Sequence, residues 1–168
     1  NIINTIKLLL SDWGFTFGGI LDNRKGEWWL LLQLLIISAN FLFLFTPIRL
    51  DKDIRLISEK FQIIGLFMIS LGIILSLLSL FELGKSLSPL PEPKRGASLV
   101  VKGLYAKCRH PIYRGLIVLS VGIFLFAGSL VPLSLSILLI FVLIRKARIE
   151  ERKLVLIYPS YLIYSKET

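Results

Sequence analysis

The stretch from Gly103 to Gly115, GLYAKCRHPIYRG, gathers the chain's only histidine, its only cysteine, two of its five tyrosines and three cations. Pro111 suits the first turn of a helix, where a missing N–H costs nothing. His110 and Arg109 then stand at the mouth of the apolar run that begins at Ile112, beside unpaired N–H groups that favour anions. A basic pocket at the edge of a bilayer is suited to bringing a charged, water-soluble ligand against a lipid-borne one. The same residue types also serve as plain interfacial anchors. A second group of reactive side chains closes the chain: Arg148, Glu150 and Glu151, then Tyr158, Tyr161 and Tyr164. Its carboxylates could pair with Arg145, Lys146 or Lys153 at helical spacing, and exposed pairs of that kind contribute little. Brought against the basic stretch instead, they would suit a ligand carrying both an ammonium and a carboxylate. Cys108 reads as a packed residue, with no base in sequence to activate it.

Several chemistries are excluded. One cysteine allows no internal disulfide and no cysteine-based zinc cluster, and one histidine makes a His-rich metal site untenable, so no metal is expected. There is no phosphate-cradling glycine motif, no Ser-His-Asp set and no dinucleotide fingerprint.

The elements that must position these residues are apolar. The chain has 168 residues, is 55% hydrophobic and has a mean hydropathy of +0.76, which is the composition of a membrane protein. Its net charge of +9 lies beside hydrophobic stretches, so the cations report membrane orientation and anionic headgroups, not nucleic acid. The fold expected is all-α: a single integral-membrane helical bundle over 1–168, with about four spans and an N-terminal interfacial helix.

Residues 1–85 supply the N-terminal spans. Ile2 to Leu21 reads as the interfacial helix, broken at Gly18-Gly19, with no cleavable signal; Asp22 to Glu27 reads as a water-facing linker. Trp28 to Thr46 is the first span, ended by Pro47. Arg49 to Lys60 reads as a polar loop. Phe61 to Phe81 is the second span, with Gly65 and Gly72 as close-packing points. Residues 86–168 supply a loop, a hairpin and a terminal helix. Pro89, Pro91 and Pro93 keep the loop extended. Ile112–Ala127 and Val131–Ile144 form a hairpin about Gly128-Ser129, and the second helix runs on to about Ile157 because no Pro or Gly interrupts it. The hairpin returns Glu150 to the side that holds His110. Sixteen cations fall on that side and four on the other, which makes it the cytoplasmic, or plastid-equivalent, side of a multi-pass protein.

Gly103-Leu104-Tyr105, Arg109-His110-Pro111 with Tyr113 and Gly115, and Glu150-Glu151 with the spaced tyrosines together resemble the isoprenylcysteine carboxyl methyltransferase family, integral-membrane enzymes related to the phospholipid N-methyltransferases. The resemblance covers about residues 86–164. It implies S-adenosylmethionine as cofactor, bound without a Rossmann fold. It further implies that Ala97, Ser98, Leu99 and Val100 line the cofactor with backbone groups. Tyr105 and His110, Pro111, Ile112 and Tyr113 would complete the wall, and Glu150 would take the amino group. The family's arginine four positions before that glutamate is Lys146 here. Lys146, or Arg148 if the helix is rotated, would then act as the catalytic cation that meets the acceptor. The acceptor implied is a lipophilic small molecule or prenylated group, with membrane lipids as surroundings.

Methyl transfer chiefly demands orientation and exclusion of water. A carboxylate acceptor is already ionised at neutral pH, so a cation need only hold it. An amine acceptor must first lose a proton, to Glu150, Glu151 or a tyrosine. Three other readings stay open: a phospholipid or other amine N-methyltransferase, a reductase with a similar RHPxY wall, and a non-catalytic membrane protein. In the methyltransferase readings the loop Ser86–Gly96 would cover the cofactor, and the acceptor would slide in between spans.

Overall fold

The computed structural model describes residues 22, 23, 25–45, 52–93 and 96–168, with the backbone alone for 52–60 and 85. The expected interfacial helix over 2–21 lies outside these residues. The described residues are helical, without strands: α1 (Glu27–Leu42), α2 (Lys52–Leu83), α3 (Pro111–Ala127), α4 (Leu130–Ile157) and α5 (Tyr161–Glu167), with single 3-10 turns at Gly84–Ser86 and Gly103–Ala106.

Two helices, Phe61–Leu83 within α2 and the whole of α4, are long and apolar enough to cross a membrane. The other two apolar helices are shorter. α1 has 16 residues and α3 has 17, or about 24–26 Å against the ~30 Å of a hydrocarbon core. α1 ends at Leu42, before the expected Thr46, and turn-like backbone follows. The linker ahead of it is not fully wet. Glu27 is completely buried as the first helical residue, and its Oε2 accepts from the Lys25 backbone N–H at 2.8 Å. The stretch expected as a polar loop is helical from Lys52, since 52–60 contains neither Gly nor Pro and polar residues alone do not break a helix. α4 ends at Ile157, where the absence of breakers put its end.

α2 and α3 make the most extensive contact in the bundle, and glycines are the cause. Gly65 lies against the Gly122 carbonyl and the Phe126 nitrogen; Gly72 lies against the Gly115 carbonyl and the Leu119 nitrogen. Each helix thus carries two glycines seven residues apart, which keeps them on one face for two turns. With no Cβ in the seam, backbone meets backbone, a packing typical of helices that associate in lipid.

α3 turns into α4 at Gly128, in the left-handed conformation (φ 59°), and Ser129 caps α4. Across this hairpin the Ser120 and Ser136 hydroxyls share a hydrogen bond of 2.8 Å, with Ser136 also donating to the Pro132 carbonyl. α1 packs on α4 through Ile36, Leu139, Val142 and Leu143, the best-buried apolar cluster, with Leu116 and Tyr113 of α3 closing over it. The outer surface is apolar too, including Ile63 (84% exposed), Phe67 and Phe81 of α2. An apolar core inside an apolar surface is the arrangement expected of a bundle solvated by lipid.

Candidate active site

The hairpin brings the two reactive groups together. His110, the residue before α3, and Glu150 and Glu151, about three quarters of the way along α4, meet beyond the apolar zone. The His110 Nε2 lies 3.0 Å from Glu151 Oε1. A carboxylate can only accept, so this nitrogen carries the proton. The other ring nitrogen, Nδ1, lies 3.8 Å from Glu150 Oε2, placing the imidazole between two carboxylates. Arg109 pairs with Glu151 at 3.2 Å. Tyr113, one turn into α3, stacks its ring on His110 (centroids 5.1 Å apart, planes 3° apart) and donates its hydroxyl to Glu150 Oε2 at 2.8 Å. One oxygen of Glu150 is thus held by a phenol, and its other oxygen makes no hydrogen bond among the described residues.

A cleft opens beside this cluster. Its walls are Ala97, Ser98, Leu99 and Val100 on one side, Tyr105, Arg109 and Glu150 on another, and Leu154, Tyr158, Tyr161 and Tyr164 on a third, with Ser86, Ser88 and Pro93 from the loop. Among the described residues of this lining Glu150 is the only anion and Arg109 the only cation. The piece 97–100 is held at its first two residues. Tyr158 donates its hydroxyl to the Ala97 carbonyl, and Ser86 donates to the Ser98 carbonyl at 3.0 Å. Leu99 and Val100 have no backbone hydrogen-bond partner among the described residues, which leaves their amides open to a ligand.

The turn carrying Tyr105 is set by Gly103, whose φ of +61° is left-handed. A Cβ there would also strike the Glu82 carboxylate, which accepts from the Leu104 N–H at 2.7 Å. Gly103→Ala therefore meets both strain and a clash, of roughly 1–3 kcal/mol together. Its melting temperature should fall, and S-adenosylhomocysteine affinity should fall with it as Tyr105 shifts; an unchanged affinity would separate the turn from the cleft.

Three phenols of the cleft, Tyr105, Tyr161 and Tyr164, stay protonated. Burial pushes the Tyr105 hydroxyl well above the usual phenol range, with Glu150 adding to the shift. Burial does the same for Tyr161, helped by Glu151, and for Tyr164. They are therefore donors: Tyr164 donates its hydroxyl to the Tyr105 carbonyl, and the buried Tyr161 hydroxyl has no hydrogen-bond partner among the described residues.

Of the residues expected at the site, Ala97 to Val100, Tyr105 and Glu150 line the cleft, while His110 and Tyr113 stand behind Glu150 and Glu151 and orient them. Pro111 opens α3 and is buried, and Ile112 follows it; neither borders the cleft. α4 turns Lys146 inward and Arg148 outward. The Lys146 ammonium, in a residue only 2% exposed, donates to Gln33 Oε1 of α1 at 2.7 Å and to the Pro89 carbonyl at 2.8 Å, and sits 5.5 Å from the Tyr113 ring centre. It ties α1, the loop and α4 together and is not part of the cleft wall. The loop is also anchored by Lys153, which pairs with Glu92 at 3.4 Å, and by the packing of Pro91 on Gly26. The three C-terminal tyrosines, grouped with Glu150 and Glu151 in the sequence but given no part in the cofactor wall, supply much of the cleft wall; their i, i+3, i+6 spacing was the available signal. Glu82, which fixes the Gly103 turn from 22 positions away, had none.

A second opening lies between α3 and α4. It is lined by Cys108, His110, Tyr113, Ile117, Leu143 and Ile144, with Arg109 shared between it and the cleft. The first is bordered by loop backbone; the second sets Ile117, Leu143 and Ile144 beside Arg109, His110, Arg114 and Thr168.

No curated protein and no solved structure matches the chain. A family model does match, that of phospholipid methyltransferase, over residues 61–160, which takes in α2, the loop, the hairpin and all the residues bonded around Glu150. That match spans more than half of the chain, and the chain belongs to the phospholipid methyltransferase family.

Proposed function

We propose that this protein is an S-adenosylmethionine-dependent methyltransferase whose acceptor is a lipid-borne amine reached from the bilayer. The observation that carries the reading is that two openings, one bordered by loop backbone and one between α3 and α4, meet at one cluster, His110–Tyr113–Glu150–Glu151. Family membership supplies methyl transfer; the cluster suggests how the two ligands are kept apart.

The cleft fits the cofactor. Glu150 offers a carboxylate oxygen for an ammonium, Arg109 a guanidinium for a carboxylate, the amides of Leu99 and Val100 a polar edge for the base, and the unpartnered Tyr161 hydroxyl a donor. When bound, the cofactor supplies an electrophilic methyl group on a sulfonium, which four neighbouring aromatic faces tolerate as a cation. The chain contributes orientation, dryness and one proton transfer. Glu151 holds His110 by Nε2–H, which leaves Nδ1, 3.8 Å from Glu150 Oε2, as the acceptor nitrogen. An ammonium acceptor arriving between α3 and α4 would give its proton to Nδ1, and the imidazolium so formed lies between Glu150 and Glu151. The phenols, held protonated by burial, do not serve as bases.

Carboxyl methylation is the second reading, favoured by the resemblance to isoprenylcysteine methyltransferases. Arg109, reaching both openings, would then hold the acceptor carboxylate, since Lys146 is engaged elsewhere. The four-span arrangement with its cation-rich face in the cytoplasm belongs to either reading.

Two measurements test this. Purified protein in detergent should bind S-adenosylhomocysteine by titration calorimetry, and His110→Ala should leave that affinity within about fivefold while reducing transfer by about 100-fold, the typical worth of a positioned general base. Absence of any binding would overturn the cofactor assignment. Radiolabelled methyl groups transferred to membrane lipid should then survive mild base, as N-methyl groups do; release as methanol would mark an ester and select the carboxyl reading.

A further inference from the structure

We propose that the groove between α4 and α5 binds the phosphate of an anionic phospholipid, held by Arg148 and Arg152 on the outer side of Arg109 and Tyr161, which border the cleft as well. The groove is lined by these three arginines with Glu151, Tyr161 and Ser165. Its cations outnumber its one carboxylate, and that carboxylate is already shared by Arg109 at 3.2 Å and His110 at 3.0 Å. Arg148 and Arg152 are exposed and have no hydrogen bond or ion pair among the described residues. Each guanidinium presents a fork of donors suited to a phosphate. At the floor of the same groove, the Tyr161 hydroxyl is buried, protonated and without a partner.

The helix register says where the groove stands. At 3.6 residues per turn, Arg145, Arg148 and Arg152 fall within about 60° of one another on α4, on the face that also carries Leu138 and Phe141. Those two apolar residues are 42% and 52% exposed, so the stripe facing lipid runs directly into the three arginines. The boundary is marked by the Arg145 guanidinium lying over the Phe141 ring, 5.1 Å from its centre. From Arg145 to Arg152 the helix rises about 10 Å, comparable with the ~5–8 Å of one headgroup layer once side-chain reach is included. A phospholipid can therefore lay its chains along Leu138 and Phe141 while its phosphate meets Arg148 and Arg152. A free phosphate satisfies only the second half of that surface. The inference rests on the bundle lying in a bilayer; it does not depend on methyl transfer.

Native mass spectrometry of the full chain in detergent, titrated with phosphatidylglycerol or phosphatidylcholine, tests it. Phosphatidylglycerol should bind more tightly. Arg152→Gln should weaken it about fivefold, and the double variant with Arg148→Gln about 30-fold, with phosphatidylcholine affinity unchanged. Inorganic phosphate added in excess should not displace the lipid. Equal binding of the two lipids by the unaltered chain, undiminished phosphatidylglycerol binding by the double variant, or displacement by inorganic phosphate would each overturn the proposal, the last by assigning the groove to a free anion. Should the double variant lose its helical circular dichroism, the exposed single Arg152→Gln variant decides the matter. Loss of S-adenosylhomocysteine binding has no bearing on this outcome, so the two assignments fail separately.

Discussion

Glu150→Gln is expected to weaken S-adenosylhomocysteine binding by about 10- to 100-fold while the protein remains folded. Glutamine has the same shape, and its amide oxygen still accepts the Tyr113 hydroxyl that lies 2.8 Å from Glu150 Oε2. What it removes is charge. Glu150 is the only anion among the described residues that line the cleft, so none of them can take over an ammonium. A hydrogen bond to a charged group is worth about 1.5–3 kcal/mol, which sets the size of the loss. Tyr113→Phe gives the comparison. It leaves the charge and frees the carboxylate to turn, so its effect should be the smaller one, about 0.5–1.5 kcal/mol. Calorimetry on the two variants beside the parent measures the order. Equal affinities for Glu150→Gln and the parent would take Glu150 out of the cofactor site, and a larger loss in Tyr113→Phe would mean that orientation matters more than charge.

The largest loss of stability is expected from Gly72→Leu. A Cβ at position 72 would lie 2.5 Å from the Leu119 nitrogen, 2.7 Å from the Gly115 carbonyl oxygen and 2.8 Å from the Leu119 Cα. All three are backbone atoms of α3, so no side-chain rotation relieves the contact. The helices must separate, and the matching contact of Gly65 with Gly122 is lost with them. Overpacking of a core costs about 1–3 kcal/mol where side chains can yield, and about 3 kcal/mol or more is expected where they cannot. Leu78→Ala, at an exposed position of the same helix, should cost under about 1 kcal/mol. Unfolding in mixed detergent, followed by circular dichroism, compares the two. A Gly72→Leu midpoint within error of Leu78→Ala would mean that the α2–α3 seam contributes little to stability.

The parts of this fold that were legible are those fixed by neighbours in sequence. Pro111 begins α3 because proline tolerates the first helical turn; Gly128 ends it because glycine accepts a left-handed backbone. The meeting of His110 with Glu151 followed from a tight hairpin, whose two arms must end on one side. The glycines of α2 were visible as close-packing points, and their partners Gly115 and Gly122 carry the same seven-residue spacing. The parts that were not legible depend on contacts far apart in the chain. Lys146 bonds to Gln33 across 113 positions, and no local pattern distinguishes a lysine that faces a ligand from one that joins two helices to a loop. Glu27 looked like part of a charged linker and is instead the buried first residue of α1. The charged residues of 52–60 looked like a loop because polarity was read as a break, whereas a helix that leaves the apolar zone needs no change of backbone.

The glycine seam also constrains how the molecule can open. Packed side chains act as cushions: they change rotamer, and one helix can roll on another by a few degrees at little cost. Between α2 and α3 there is no such cushion at Gly65, Gly72, Gly115 or Gly122. The pair therefore behaves mechanically as one post, stiff to rolling and to approach. Any widening beside α3 must come from its other side, where side chains make the contact with α4, the Ser120–Ser136 hydroxyl bond among them. The post sets the fixed side of the opening between α3 and α4.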